Sequence, residues 1–512
     1  MATNSPNTGA ASFVEASGKD YVAVTDLKPG AVGLAGAVMQ NITHIAPAIA
    51  AFFFTTTLVS NADGQAPLAY LVGLIIVIPL GVCLMELARK FPSAGGYFTY
   101  VSRTLGPSMG FLTAWVFVLY SPVVAGPSLA VLGQILQDEL LKNYQITFPW
   151  WAAVVIGVPL VTWAGYTGIS FSIKWIVAVG LAEFLIVLAL GLTGLADPGP
   201  GGFTVATFSP WFNPGGMATV KGFFIVVVLT VQGLTGWEAA VPLAEETENP
   251  RRNVPRSIMA SILIIGVMLV IAQWGQVVGW GVNDLPNLTK SAVPALDIAH
   301  RVWGSLWWLT LLAMITSVLG ASLACQNVAT RMWYSMGRAG VLPATFGKVH
   351  PTRKTPTTAV TAQWILSLVL GIGGPWLMAQ IEGKQDGWAD PWALFIFLIA
   401  YVLVLGVIFV YIAANLGVVV YYWTKARDEF SVIKHAIFPI GTSLVLLVSI
   451  YVGFVLFAPA PPNDLTPWVA AAWLVIGIII LVVMKAMGKS DWLARAAAIV
   501  AEQEDTLHKH PI

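Results

Sequence analysis

Two stretches decide the fold: Gly33-Leu-Ala-Gly36-Ala-Val-Met-Gln40-Asn41-Ile42-Thr43-His44-Ile-Ala-Pro47 and Thr230-Val-Gln232-Gly233-Leu-Thr235-Gly236-Trp237-Glu238, the second followed by Pro242. Each lies in a long apolar run, and each sets polar side chains in mid-run between glycines and a proline. Pro47 has no N–H and clashes with the carbonyl of Thr43, four residues back. Gly33 and Gly36 weaken the helix from the other side. The same logic applies around Gly233, Gly236 and Pro242. The spacing predicts two interrupted membrane helices whose unwound backbone offers free N–H and C=O groups to a ligand. Ordinary Gly/Pro kinks used for helix packing are the alternative.

The rest of the chain supplies the setting. Of 512 residues, 57% are apolar and 10% are Asp, Glu, Lys or Arg. A soluble domain carries roughly 25% charged residues, so a soluble fold of this length lacks its charged shell. The mean hydropathy is +0.78. Such apolar content excludes disorder. Lys plus Arg number 26 and Asp plus Glu 25, a net charge of +1 that gives a nucleic acid no basic surface. Cys83 and Cys325 are the only cysteines, so no disulfide framework and no cysteine metal cluster is expected.

Twelve apolar runs follow one another near 31–60, 67–88, 108–136, 150–166, 174–195, 221–244, 257–280, 305–334, 358–379, 391–423, 437–459 and 467–486. Most reach the roughly 20 residues that span a hydrocarbon core, and they are numbered here as spans 1 to 12. Residues 1–29 read as an uncleaved, flexible tail without a signal-peptide core. With that tail inside, 21 Lys and Arg fall on the inner side and five on the outer: Lys142, Lys221, Lys290, Arg301 and Lys384. This positive-inside bias places both termini in the cytoplasm. It also requires 391–423 to be one long tilted span, because splitting it would send Lys425, Arg427 and Lys434 outside. Trp150 with Trp151, Trp303 with Trp307 and Trp308, and Trp388 with Trp392 fit interfacial belts. The broken spans, 1 and 6, are five apart. They occupy equivalent places in two five-span halves, the arrangement that marks a midplane site in inverted-repeat carriers.

Four stretches give the chain a resemblance to a known family. They are Glu86-Leu-Ala-Arg-Lys-Phe-Pro92-Ser-Ala-Gly95-Gly96-Tyr97 with Gly106-Pro107; Gly236-Trp-Glu238 followed by Glu245-Glu246-Thr-Glu-Asn249-Pro250-Arg251-Arg252-Asn253-Val-Pro255; Arg331 through Gly337-Arg338-Ala-Gly340-Val-Leu-Pro343 to His350-Pro351 and Pro356; and the Gly36 to Pro47 spacing. Together, in this order, they resemble the amino acid–polyamine–organocation (APC) family of secondary transporters. The resemblance implies an all-α polytopic membrane protein of about twelve transmembrane helices. Its LeuT-like core would be a 5+5 inverted repeat with broken helices 1 and 6, plus two extra C-terminal helices. The expected division is a cytoplasmic tail 1–29, a ten-span core 30–424, two further spans 425–488 and a cytoplasmic tail 489–512 whose Ser490–Ile512 reads as a short amphipathic helix.

The scarce charges inside the spans are the informative ones, because an unpaired charge in a bilayer is expensive. Glu183 lies mid-span in span 5 with no sequence neighbour to pair with. In several proton-coupled members of the family a lysine holds this part of span 5, so at the matching position Glu183 reverses the sign. It is either the proton-coupling group or a structural carboxyl hydrogen-bonded to Ser317 or Ser322 on span 8. His44 is the only one of six histidines in mid-span. It either meets substrate or the gate, or is satisfied by a nearby carbonyl. Glu238 is expected to accept hydrogen bonds from exposed backbone N–H groups and hold the span 6 break open.

The resemblance also implies a substrate site. Many members carry Gly-Ser-Gly in span 1 to receive a carboxylate; the matching positions here are Gln40, Asn41 and Ile42, followed by Thr43 and His44. Side chains crowd the close approach that glycine permits, which puts a standard α-amino acid in doubt and leaves a modified amino acid, an amine or a small organic acid open. From span 6 the site would take Gln232, Gly233, Leu234, Gly236 and Trp237, with Trp237 replacing the aromatic gate of relatives. From span 3 it would take Tyr120 and Ser121. Glu245, Glu246 and Glu248 beside Arg251, Arg252 and Arg256 would form either a gating charge cluster or a solvated loop.

The reading is therefore a plasma-membrane permease moving an amino acid, amine or small organic acid by alternating access, with protons. A sodium symporter or an exchanger of the same fold is the alternative. No cofactor or metal is expected, and no Gly-x-x-x-x-Gly-Lys-Ser/Thr segment for a nucleotide is present. The partners expected are the solute, the proton and the lipid bilayer, with no nucleic acid and the oligomeric state left open. A membrane-embedded enzyme would need paired His or carboxylates inside the spans, and a transporter-like sensor would need an appended domain.

Overall fold

The computed structural model describes residues 27–383, 390–456 and 460–487. The tail 1–26, Lys384, Trp388 and the expected helix Ser490–Ile512 lie outside the described residues.

Each of the twelve apolar runs is helical. Span 1 comprises the helix Leu34–Ile45, a π-helical turn Ile49–Phe53 and a second short helix, Thr55–Ala62. Span 2 is Ala66–Lys90. Span 3 is Pro107–Phe117 and Ala125–Tyr144, joined by a 3-10 turn, Ser121–Val123. Spans 4 and 5 are Trp151–Tyr166 and Ile169–Ala196. Span 6 is Val220–Gly233, followed by the 3-10 turn Val241–Glu246. Spans 7 to 12 are Pro250–Trp280, Trp308–Arg338, Thr357–Ile381, Pro391–Thr424, Ile433–Val455 and Asn463–Ala486.

Among the described residues, nine helical stretches are individually long and apolar enough to cross a membrane. Spans 1, 4 and 6 fall short: Leu34–Ile45 has 12 residues, Trp151–Tyr166 has 16 and Val220–Gly233 has 14. For spans 1 and 6 the cause is the predicted interruption. Pro391–Thr424 runs as one helical stretch of 34 residues. At 1.5 Å per residue that is about 50 Å, enough to cross a 30 Å core with a tilt, as the charge distribution requires. Prolines at the first turns of spans 3, 7 and 10 start those helices where a missing N–H costs nothing.

The contacts map onto one another when spans 1–5 are exchanged in order with spans 6–10. Span 1 packs on span 7 and span 6 on span 2; span 5 packs on span 7 and span 10 on span 2; span 5 packs on span 8 and span 10 on span 3. Because five is odd, equivalent spans cross in opposite directions, which is the inverted repeat. Spans 5 and 7 meet backbone to backbone, since a Cβ on Gly279 would stand 2.9 Å from Gly194 Cα. Small residues at such crossings supply packing that lipid cannot.

Spans 11 and 12 lie outside this exchange. Span 11 packs on spans 2, 6 and 10, and span 12 on spans 3 and 10. Trp473 of span 12 stacks on Trp115 of span 3 at 4.5 Å and 11°. Each indole N–H donates to the other's backbone carbonyl, at 2.7 and 2.9 Å. The expected belt residue Trp307 is instead 8% exposed and stacked on His300. Trp151 and Trp308 keep about half of their surface exposed, at 49% and 46%.

Candidate functional site

The first break falls later than the sequence spacing predicts. Gln40, Asn41, Ile42 and Thr43 are inside the regular helix Leu34–Ile45, and that helix ends at Ala46, which takes φ 59°, ψ 74°. Pro47 follows without an N–H to continue the ladder. The helical N–H groups of residues 40–42 are therefore not offered to a ligand. Their side chains hold the helix in place instead. Gln40 donates to Ala324 O at 3.0 Å and accepts from Asn327 at 3.3 Å. Asn41 accepts from the Ala240 N–H at 2.7 Å and donates to Ser261 at 3.2 Å. Thr43 donates to Ile176 O at 3.4 Å, and Ile42 is buried.

The π-helical turn beyond Pro47 needs outside partners for its carbonyls. Tyr70 donates to Ala50 O at 2.6 Å, and Gln276 and Thr55 donate to Ala51 O at 2.7 and 2.8 Å.

In span 6 the helix ends at Gly233, and Gly236 takes φ 127°. A Cβ there would stand 2.6 Å from His44 Nδ1 and 2.9 Å from the Ile45 nitrogen. The two breaks thus cross at backbone contact. Glu238 sits just beyond, 3% exposed. Its Oε2 accepts from the Gly236 N–H at 3.2 Å, and its Oε1 accepts from Tyr120 at 2.8 Å and Tyr411 at 3.0 Å. The carboxyl therefore ties spans 3, 6 and 10 together.

A cavity of about 540 Å³, counting the part open to solvent, lies at this crossing. His44, Ile45, Ala46, Ile49, Ala50 and Phe54 line it from span 1 and its turn; Tyr120, Val124 and Ser128 from span 3; Gln232, Gly233 and Thr235 from span 6; Ala321 and Cys325 from span 8; and Phe395, Ile399 and Leu403 from span 10. His44 Nε2 is 2.7 Å from Ser121 Oγ, and its ring meets Tyr120 edge-on at 5.6 Å. Among the described residues its Nδ1 has no hydrogen-bond partner. The Gln232 amide N–H donates to Ile399 O, which fixes the amide, and among the described residues its Oε1 has no partner.

Of the residues expected at the site, the structure brings His44, Tyr120, Gln232 and Gly233 to the cavity wall and puts Ser121 directly behind His44. Gln40, Asn41, Ile42, Thr43, Leu234, Gly236 and Trp237 are not on the wall. Trp237 is 1% exposed and lies against Tyr411 at 5.4 Å, so the aromatic wall comes from Phe54, Phe395 and Tyr120. Sequence reasoning missed Phe54, Ser128, Thr235, Cys325, Phe395, Ile399 and Leu403. For most of these there was no signal, since an apolar residue in an apolar run looks the same facing lipid or a cavity. The turn in span 3 did leave one, Pro122.

Glu183 is fully buried on span 5. Ser317 of span 8 is the hydroxyl that faces it, and that Oγ also accepts from the Ile49 N–H at 3.4 Å. Neither carboxyl oxygen stands in close hydrogen-bond geometry with any described partner, and no described cation pairs with it.

The charged cluster after span 6 pairs differently from the expectation. Glu246 takes Arg331 of span 8 in a two-point bond, 2.8 Å to Nε and 3.2 Å to Nη2, with the side chains 0% and 2% exposed. Glu245 takes Arg338 at 2.6 Å and accepts from the Ala94 N–H at 3.0 Å. Arg251, Arg252 and Arg256 make neither pair. The backbone joins the same seal, Val32 donating to Glu246 O and Glu248 to Val32 O, each at 2.9 Å. The segment after span 6 is thus tied to span 8 by ion pairs whose carboxylates are buried, and it is not a solvated loop.

The sequence pattern of the amino acid permease family matches residues 36–499. The low-affinity putrescine importer PlaP of Escherichia coli (strain K12) is 27% identical over 341 residues, 65% of this chain and 72% of that protein. The large neutral amino acids transporter small subunit 2 of Mus musculus is 24% identical over 72% of this chain and 69% of its own length. The methylthioribose transporter of Bacillus subtilis (strain 168) is 26% identical over 63% of this chain and 70% of that protein. Two broken helices crossing at a cavity and a family match over most of the length lead to one identity: the chain belongs to the amino acid permease family, a multi-pass membrane transporter and not an enzyme.

Proposed function

We propose that the protein carries an amino acid or related amine across the plasma membrane by alternating access, coupled to protons through Glu183. The observation that carries this reading is the cavity at the crossing of two interrupted helices. His44, Tyr120 and Gln232 are the proposed substrate contacts from the expected set. Glu238 is assigned to holding the break. The transport core is the ten spans of residues 30–424, with spans 11 and 12 on its flank and both termini cytoplasmic.

Support for Glu183 is its position. It lies behind the span 1 break, without a counter-charge, and Ser317 connects it to the Ile49 amide on the cavity wall. A carboxyl so placed changes its bonding to Ser317 when it gains or loses a proton, and Ile49 feels that change. In proteoliposomes, Glu183→Gln is expected to keep solute counterflow but lose accumulation driven by an inward proton gradient. Full accumulation with unchanged pH dependence would remove the coupling role, and accumulation that follows sodium instead would favour the symporter alternative.

A further inference from the structure

We infer that the protein holds an anionic phospholipid where the end of span 2 meets the start of span 11, with the phosphate between Arg89 and Lys434 and one acyl chain along span 11. Two cations share a single carboxylate oxygen at this junction. Arg89 Nη1 is 3.4 Å and Lys434 Nζ 3.6 Å from Oε1 of Glu86. The other oxygen is engaged as well: Oε2 accepts from Tyr422 of span 10 at 3.1 Å, and His435 Nε2 lies 3.7 Å away. Among the described residues Glu86 is the one acid paired with either cation, so one positive charge of the two is left unbalanced. Lys90, beside Arg89, is already taken by Glu429 at 2.5 Å. The Glu86 side chain is 10% exposed, whereas those of Arg89 and Lys434 are 47% and 50% exposed. A buried carboxylate thus lies beneath two accessible cations. That arrangement fits a singly charged phosphate diester, which accepts hydrogen bonds from both.

The surface next to the two cations makes the anion a lipid and not a free phosphate. Beyond Lys434 on span 11, Ile437, Gly441 and Leu444 follow at helical spacing and all three are exposed, Ile437 and Leu444 at 57% each. A Cβ on Gly441 would meet nothing within 4 Å, so the glycine leaves a notch between two large side chains. A flexible acyl chain fills such a notch; a free phosphate gains nothing from it. From Lys434 to Leu444 the helix rises about 15 Å, half of the roughly 30 Å hydrocarbon core. A headgroup at Lys434 therefore lays its chain on this stripe within one leaflet. Lipids of any headgroup pack equally well on the apolar part, so the two cations decide which lipid stays.

Native mass spectrometry of the purified, delipidated full chain tests this. The probes are phosphatidylglycerol and phosphatidylcholine with the same acyl chains, and inorganic phosphate as competitor. The unaltered protein is expected to bind phosphatidylglycerol about 30-fold more tightly than phosphatidylcholine, from two basic residues at about fivefold each. Arg89→Gln combined with Lys434→Gln should bring the two lipids to near parity. Lys434→Gln alone leaves Arg89 paired with Glu86 and should lose about fivefold, which keeps the test decisive if the double variant does not fold. Arg353→Gln removes an exposed charge from the loop after span 8 and should leave the preference unchanged. Equal binding of the two lipids by the unaltered protein overturns the inference. So does a preference that survives both Lys434→Gln and the double variant, or one that Arg353→Gln removes as well. Displacement of phosphatidylglycerol by an equal concentration of inorganic phosphate overturns it too, since the acyl chain then contributes nothing.

Discussion

At Gly236 the backbone of span 6 runs so close to span 1 that any side chain must displace His44. Its φ of 127° is one that L-residues rarely adopt, so strain and collision act together. Gly236→Ala is therefore expected to abolish solute binding, because it forces apart the two breaks that form the cavity. Substrate-dependent thermal stabilisation of the purified variant checks this, and retained binding would show that the crossing tolerates separation. At this scale the sequence was a good guide to which residues matter and a poorer one to how. Gln40, Asn41 and Thr43 stood out as polar groups in an apolar run, and all three are fully buried and bonded. Their partners, however, lie on spans 5, 6, 7 and 8, at separations no local pattern reveals. Phe395 and Leu403 line the cavity and carried no mark at all.

The interrupted helices behave as elements with their own closure problem. Pro47 announced the first break, yet the chain keeps its helix through Ile45 and turns at Ala46, an alanine in the left-handed region. A glycine there would have flagged the turn; alanine has no preference for that conformation, so nothing in the sequence placed it. Spans 6 and 8 are fastened by the Glu246–Arg331 pair, whose members are 85 residues apart. Sequence proximity had pointed to Arg251, Arg252 and Arg256, which are nearer in the chain and not in these pairs. Removing one partner leaves the other charge buried, so Glu246→Gln or Arg331→Met alone is expected to cost about 3–5 kcal/mol of stability. The double substitution should recover most of that loss. Thermal unfolding of the two singles and the double in detergent measures the cycle, and additive losses would count against a direct pair.

For the molecule as a whole, hydropathy and charge were sufficient to find twelve spans, and the five-span offset of the two breaks was sufficient to expect the inverted repeat. The packing of the spans repeats under that offset, as span 1 on span 7 and span 6 on span 2. What composition could not convey was a third interruption, at Tyr120 to Val123, because one proline in an apolar run also fits a simple kink. Nor could it convey how the last two spans attach. The Trp115–Trp473 clasp has a consequence in optics. Two indoles locked nearly parallel at 4.5 Å are close enough for their electronic transitions to couple. The fold thus carries its own spectroscopic reporter of whether span 12 stays on span 3. Subtracting the near-ultraviolet circular dichroism of Trp473→Phe from that of the unaltered protein should isolate an exciton couplet. That couplet should persist when solute is added if the clasp rides unchanged through the transport cycle, and collapse if span 12 parts from span 3.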